Sequence, residues 1–330
     1  MEQVALVGVV TLAMVFSYTN GFHDSANAIA TSVSTRALTP RIALLLAAGA
    51  NRLGAFFGVR VAETIGSGIV DATGATLPLC AGALIGAIGW NMLTWWRGLP
   101  SSSSHALIGG LVGAAVVGGV GIQWRAVLER VVLPMLVSPV IGLLLGWGLM
   151  TAITWVFRRG DARRVGRGFR YAQTVSATAM AFGHGMQDAA KVAGIVVLAL
   201  IADGRHAPEH GDFVPLWVVL LSGVVMSVGT YAGGWRIMRT LGRRLIVLTP
   251  PQGFAAETAA AITLAVATTF RAPISSTYAI TAAIMGAGTA RNVRQVRWDV
   301  GRDIALAWVA TLPGAALAAA AAHGILRLVG

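Results

Sequence analysis

The sequence predicts an all-α, polytopic membrane protein made of two inverted repeats of about five membrane segments each, with spacings that allow re-entrant hairpins. Three observations lead there. The 330 residues are 56% apolar and 12% charged, with a mean hydropathy of +0.72, about half the charge of a water-soluble domain. Apolar runs long enough to cross a bilayer as helices recur from end to end. Polar motifs of the first half return, in the same order, in the second. The runs do not alternate as barrel strands do, and backbone exposed to lipid must then be helical.

In order, the apolar stretches lie near 3–19, 41–62, 76–96, 103–121, 128–156, 172–201, 214–235, 253–270, 274–290 and 303–328. The first lacks a basic start and a small-residue cleavage pattern, so it reads as a retained span. Stretches 253–270 and 274–290 are short and three residues apart, a spacing that allows a re-entrant hairpin. Hairpin or paired spans, the chain returns to the same side. The halves are 1–157 and 171–330, joined by an arginine-rich linker at 158–170.

The net charge of +12 is better explained by loop arginines than by nucleic acid. Arg158, Arg159, Arg163, Arg164, Arg167 and Arg170 crowd the linker, with further clusters at Arg236–Arg244 and Arg291–Arg297. By the positive-inside rule these loops are cytoplasmic, and the acidic or mixed loops 63–75 and 202–213 are outside. Ten crossings of an inner or plasma membrane then put both termini outside. Trp95, Trp96 and Trp155 suit interfacial anchoring. Cys80 is the single cysteine, so no disulfide or metal–thiolate framework forms within one chain.

The internal match is residue by residue. Asn20-Gly-Phe-His-Asp-Ser-Ala-Asn27 corresponds to His184-Gly-Met-Gln-Asp-Ala-Ala-Lys191, so Asp24 pairs with Asp188 and Asn27 with Lys191, the sole lysine. Thr64-Ile-Gly66 matches Thr240-Leu-Gly242, Pro100-Ser-Ser-Ser-Ser-His105 matches Pro273-Ile-Ser-Ser-Thr-Tyr278, and Gly113 matches Gly286. An odd number of segments per half inverts the second relative to the first. Secondary transporters are built this way, with a substrate site near midplane where the repeats meet.

Charges inside membrane segments are costly, and Asp24, Asp188, Lys191 and Glu257 all fall there. Leu84 stands where Glu257 would have its counterpart, so Glu257 reads equally well as a structural polar group. Pro100 and Pro273 suit helix starts. Ser102, Ser103, Ser104, Ser275, Ser276 and Thr277 would then crown two helix N-termini, whose free N–H groups and dipoles favour an oxyanion. Asp24, Asn27 and Asn20, with His23 and Gln187 beside the aspartates, offer hard ligands for a coupling ion. Asp24 and Asp188 would hold a metal if a cation binds. His105 and His23 could titrate, Arg97 and Arg271 could attract anions, and His206, Glu209, His210 and Asp212 read as a solvated outer loop.

Taken together, the motifs resemble the PiT-type inorganic phosphate transporters, whose repeated signature is roughly Gly-x-Asn-Asp-x-Ala-Asn followed in each half by Pro-x-Ser-(Ser/Thr)-(Ser/Thr)-His. The segments Gly253-Phe-Ala-Ala-Glu257 and Ala307-Trp-Val-Ala-Thr-Leu-Pro313 also look like that family. The resemblance implies phosphate symport with Na⁺ or H⁺ and no cofactor, with Asp24, Asn27 and Asp188 lining the ion and phosphate sites and the six hydroxyl residues holding phosphate. A divalent metal such as Mg²⁺ travelling with phosphate, and a homo-oligomer, are compatible with it. The pattern departs at His23, Gln187, Lys191 and Tyr278. The Lys191 departure suggests a built-in cation at Asp188, so that fewer external Na⁺ are needed and H⁺ coupling is favoured.

Three alternatives remain at this point. Sulfate or another tetrahedral oxyanion could use the same scaffold, and a channel could share the spans. An intramembrane hydrolase would need Ser104, His105 and Asp24 to meet, but adjacent residues of one helix point about 100° apart, and no Gly-x-Ser-x-Gly elbow is present.

Overall fold

A computed structural model describes residues 2–206 and 213–329. The first half comprises α1 (Glu2–Ser34), α2 (Pro40–Ala55), α3 (Val59–Ser67), α4 (Leu77–Arg97), α5 (Ser103–Gly118), α6 (Trp124–Val127) and α7 (Leu133–Val156). A single π-helical turn (Leu128–Val132) makes α6 and α7 one rod. The second half comprises α8 (Ala162–Ala202), α9 (Leu216–Ala232), α10 (Trp235–Arg239, continued by a π turn to Arg244), α11 (Pro250–Thr269), α12 (Ser276–Thr289) and α13 (Trp298–Val329).

Helix starts follow local chemistry. Thr76 caps α4 by accepting from Leu79 N–H, Asp161 caps α8 by accepting from Arg164 N–H, and Pro40 and Pro250 occupy first turns where no N–H is needed. The Asp161 cap moves the start of α8 into the expected linker. Only Phe157–Asp161 connects the halves, and Arg163, Arg164, Arg167 and Arg170 ride on its first turns. In the same way α1 runs fifteen residues beyond its apolar stretch, through the whole Asn20–Asn27 motif, because partners from the other half satisfy its polar side chains.

Among the described residues, five helices are long and apolar enough to cross a membrane, or up to seven spans if each bent pair counts as one: α2 with α3, bent by 68°, and α9 with the α10 segment, bent by 55°. The chain is a multi-pass membrane protein. The expected ten crossings are reduced because α5 and α12, with 16 and 14 residues, reach only about 24 and 21 Å at 1.5 Å per residue, short of a ~30 Å hydrocarbon core. Each pairs with the helix before it, α4 or α11, so the hairpin expected at 253–290 has a counterpart at 77–118.

The halves pack reciprocally. α1 crosses α9 and α8 crosses α2, while α5 lies on α13 and α12 on α7. Matched glycines make these crossings. A Cβ on Gly21 would lie 2.2 Å from Met226 O and one on Gly185 2.2 Å from Asn51 O. On Gly113 and Gly286 the distances would be 2.1 Å to Ala316 O and 2.0 Å to Leu143 O. Small residues permit such backbone approach between membrane helices.

Two apolar cores flank a polar layer. Along α1 one core ends at Phe16 and the other begins at Ala26; along α8 they meet around Ala181 and Ala189. The intervening stretches contain Asp24 and Asp188. The arginine clusters gather on one face, where Arg158 and Arg291 line a common crevice with Thr249 and Pro250, and Arg297 N–H bonds Leu245 O. Trp96 and Trp155 are exposed as anchors would be. Trp95 instead turns inward, its ring edge-on to Phe22 and beneath the Arg236 guanidinium.

Candidate functional site

The two serine-rich motifs form the N-termini of α5 and α12. Ser102 and Ser275 are the caps, their hydroxyl oxygens accepting from His105 and Tyr278 N–H at 3.2 and 3.3 Å. This leaves the N–H groups of Ser103, Ser104, Ser276 and Thr277 with no partner inside their helices, because the first turn of a helix has none to offer. The hydroxyls of those same four residues reach the two buried carboxylates.

The reach is crossed. Ser103 Oγ donates to Asp24 Oδ2 at 3.0 Å, and Ser276 Oγ donates to Asp188 Oδ2 at 3.3 Å. Thr277, from the second half, donates to Asp24 at 3.3 Å, and Ser104, from the first, to Asp188 at 3.5 Å. Each carboxylate is thereby held by one hydroxyl from each half, and the two helix N-termini meet around both. The rings of His105 and Tyr278 also face each other, centroids 5.0 Å apart.

The matched pair Asn27 and Lys191 occupies equivalent places. Asn27 Nδ2 donates to Thr277 Oγ1 at 2.8 Å; Lys191 Nζ donates to Ser104 Oγ at 2.6 Å. Lys191 then does more, donating to Asp188 Oδ1 at 2.9 Å and to Ile274 O at 2.6 Å. A carboxylate oxygen, a hydroxyl and a loop carbonyl around one ammonium are the kind of oxygen ligands that coordinate a monovalent cation at a broken helix. On the Asp24 side no ammonium is present. The amide oxygens of Asn20 and Asn27 are buried and unpartnered, and with Asp24 they lie on one face of α1 at i, i+4 and i+7.

His23 Nδ1 lies 2.8 Å from Asp24 Oδ1, and its Nε2 lies 3.3 Å from Thr94 Oγ1. Its counterpart Gln187 donates to Thr268 Oγ1 at 2.9 Å and to Ala272 O at 3.3 Å, so it fastens the α11–α12 tip and leaves Asp188 to others. One of those is His184, whose Nδ1 lies 2.7 Å from Asp188 Oδ2, an ion-pair separation without hydrogen-bond alignment. Sequence reasoning misses His184 as a site residue, although it stands at the match of Asn20. Ile274 O contributes only backbone, for which no sequence signal exists.

Thr64 and Thr240 have a defined role. Each donates to the tip of the other half's helical pair, Thr64 Oγ1 to Arg271 O at 3.1 Å and Thr240 Oγ1 to Gly98 O at 2.7 Å. Arg97 and Arg271 are exposed, and Arg271 lies 3.4 Å from Glu63, away from the carboxylates. The hydrolase contact is not made: Ser104 Oγ pairs with Lys191 and Asp188, while both ring nitrogens of His105 lack partners. Among the described residues no three His, Cys, Asp or Glu side chains converge as a metal site. Glu209, His210 and Asp212 lie outside the described residues, and His206 Nε2 is 3.0 Å from Phe213 O.

Known proteins resemble the chain along nearly its whole length. A family model described as the phosphate transporter family matches residues 20–166 and again 157–319. A protein of Rhizobium meliloti named a probable low-affinity inorganic phosphate transporter is 45% identical over 327 residues, 98% of this chain and 97% of its own. One of the same name from Bacillus subtilis is 37% identical, covering 97% of each. A solved structure described as the sodium-dependent phosphate transporter superposes with a TM-score of 0.88 at 26% identity, covering 99% of this chain and 100% of that one.

Proposed function

The chain belongs to the phosphate transporter family, and we propose that it moves inorganic phosphate by alternating access as a symporter in which the Lys191 ammonium takes the place of one coupling cation. Phosphate is held between the N-termini of α5 and α12. The N–H groups of Ser103, Ser104, Ser276 and Thr277 supply donors, joined by their hydroxyls as these turn from the carboxylates to the bound anion, the two helix dipoles supply positive potential, and Lys191 supplies a full charge. Ser102 and Ser275 keep the two helix starts in shape. The observation that carries this reading is the crossed contact pattern. Four hydroxyls from two halves converge on two carboxylates, with an ammonium on one side and unpartnered amide oxygens on the other.

One Na⁺ binds on the Asp24 side, where Asn20, Asp24 and Asn27 offer oxygen ligands. The solved relative is described as sodium-dependent, which supports Na⁺ as an ion for this fold. At Asp188 the place is filled from within the chain. The two halves are an inverted repeat, and with the α4–α5 and α11–α12 pairs re-entrant six crossings remain (α1, α2–α3, α6–α7, α8, α9–α10 and α13), so the arginine-rich face is cytoplasmic and both termini lie outside. Moving a charge through 100 mV costs about 2.3 kcal/mol, so phosphate entering an interior-negative cell requires accompanying cations, and Lys191 lowers the repulsion at the site without being transported itself.

The test is phosphate uptake in proteoliposomes with Na⁺ and pH gradients set independently, for the wild type and Lys191→Asn. The wild type is expected to depend on Na⁺ with a slope near one, and Lys191→Asn with a slope near two and a several-fold higher half-saturating Na⁺. A slope unchanged by the substitution would sink the built-in cation. Arsenate should compete in both proteins. Sulfate should not, because it offers no O–H near neutral pH to a site that holds carboxylate acceptors.

A further inference from the structure

Glu257 takes no part in the phosphate site, yet it is fully buried in the middle of a membrane protein. No cation stands within salt-bridge distance of it among the described residues. A buried, unpaired carboxylate is costly unless something compensates it. Its surroundings are uncharged and come from two other helices. Thr31 Oγ1 of α1 donates to Oε1 at 2.5 Å, Gln173 Nε2 of α8 donates to the same oxygen at 3.3 Å, and Ser176 Oγ of α8 donates to Oε2. The amide of Gln173 is held in that sense by Thr35, whose hydroxyl donates to Gln173 Oε1 at 2.7 Å. Gly253, one turn before Glu257, makes the room: a Cβ there would lie 2.2 Å from Gln173 Nε2.

Resting on the transport function above, we propose that Glu257 is a proton-carrying coupling site, separate from the phosphate site and present in one half only. The shell is built for a proton and not for a metal ion. A bound Na⁺ would need oxygen lone pairs directed at it, but Gln173 turns its NH₂ to the carboxylate, with its own oxygen taken up by the Thr35 hydroxyl. A proton requires one hydroxyl to turn. Ser176 Oγ has a second acceptor, the carbonyl of Gln173, at 3.4 Å. With Glu257 ionised, Ser176 donates to it. With Glu257 protonated, the acid donates to Ser176, and Ser176 donates onward to Gln173 O, so every polar hydrogen keeps an acceptor in both states. The proton arrives from hydronium, leaving water and the neutral acid, and departs to water on the opposite side.

Ser176 also lines a groove of about 820 Å³ between α8 and α11, together with Phe254 and Thr258, so the buried carboxylate lies one hydroxyl away from open space. The titratable groups on the helices packed around Glu257 are distant along their own chains. On α1 they are Asp24 and His23, two turns before Thr31, and Tyr18 further back, with exposed Arg36 just beyond the helix end. On α8 they are exposed Tyr171, Arg170, Arg167, Arg164 and Arg163 on one side of the cluster and His184, Asp188 and Lys191 on the other. On α12 the group is Tyr278, and α7 presents none. The cluster therefore ties α11 to the two helices that carry Asp24 and Asp188, which gives protonation a route to the phosphate site. Leu84 stands at the matched position in the first half, so no second proton site of this kind exists by repetition.

The test uses the full chain in proteoliposomes. Glu257→Gln, which mimics the protonated acid, is expected to keep phosphate exchange at equal pH on both sides within about threefold. Net uptake driven by an inward proton gradient should fall at least tenfold, and the proton entry that a trapped pH dye reports alongside phosphate should disappear. Ser176→Ala keeps the carboxylate but removes the switching hydroxyl, and it is expected to shift the pH profile of uptake while leaving its maximum in place. Wild-type proton stimulation surviving in Glu257→Gln would overturn the proposal. If Glu257→Gln does not fold, an unchanged pH profile in Ser176→Ala overturns it. Absence of phosphate exchange in the wild type would instead strike at the transport function itself. Wild-type exchange with no response to a pH gradient would strike at Glu257 alone.

Discussion

Around Asp24 the protein places amides and a histidine; around Asp188 it places an ammonium, a histidine and a loop carbonyl. The frame beneath is shared. The same hydroxyl positions of α5 and α12 serve both carboxylates, and the same glycine-mediated crossings hold both helices. The contrast teaches that repetition fixes where groups stand, while a single side chain decides whether a place is filled from inside the chain or from solution. At Asp188 the positive charge is covalently present, so that half-site is a completed ion pair. At Asp24, on the function proposed above, it arrives from solution.

The largest consequence is in stability. Removing the anion of a buried pair strands the other charge and costs about 3–5 kcal/mol. Asp188→Asn leaves Lys191, 2% exposed, facing only neutral oxygens. It is expected to lower the thermal midpoint of the detergent-solubilised protein by several degrees and to abolish uptake. Asp24→Asn strands no ammonium; Ser103 and Thr277 bond different oxygens of the carboxylate, so the amide oxygen keeps one of the two bonds, and the stability loss should stay near about 1 kcal/mol while uptake is also abolished. Equal destabilisation of the two variants would break the distinction between a filled and an unfilled half-site.

Much of this is readable from the chain, and the reasons for the remainder are physical. Matching Asn20–Asn27 to His184–Lys191 identifies the two carboxylates and the odd lysine, because identical backbone frames demand similar residues in order. It cannot show that Thr277 serves Asp24 and Ser104 serves Asp188. A pairing between halves depends on how two helix N-termini meet, and no spacing within one half encodes that. Helix ends depart from the apolar runs for a related reason. The apolar run of α1 stops near residue 19, but the helix continues through polar residues whose partners lie some 80 to 250 positions away. Ten apolar stretches suggest ten crossings, but hydropathy registers the burial of α5 and α12 inside protein as readily as burial in lipid.

If the frame is as symmetric as the glycines indicate, damage to it should be symmetric too. Gly21→Ala and Gly185→Ala each force a methyl to 2.2 Å from a carbonyl oxygen of the crossing helix. Overpacking of this kind costs about 1–3 kcal/mol, offset in part by the better helix propensity of alanine. The two variants should lose similar stability, whereas Gly8→Ala, with nothing within 4 Å, should lose none. A marked difference between Gly21→Ala and Gly185→Ala would mean that the halves share sequence motifs without sharing load.

The smallest effect lies at the helical-pair tips, where the repeat is again imperfect. Gly98 and Arg271 occupy matched positions with φ of 68° and 57°, and each carbonyl accepts a threonine hydroxyl from the other half. Glycine adopts this left-handed conformation freely, but a residue with a Cβ is strained there by about 1–2 kcal/mol, less the entropy that glycine loses on folding. Gly98→Ala should therefore destabilise the protein by about 1 kcal/mol. Arg271→Gly should be more stable than Arg271→Ala by a similar amount, a comparison in which both variants lack the exposed contact to Glu63. Thermal midpoints of the three proteins decide it. Should alanine equal glycine at 271 but not at 98, the second tip is not held by its backbone, and the Thr64 bond to Arg271 O would be the weaker of the two fastenings, consistent with its greater length.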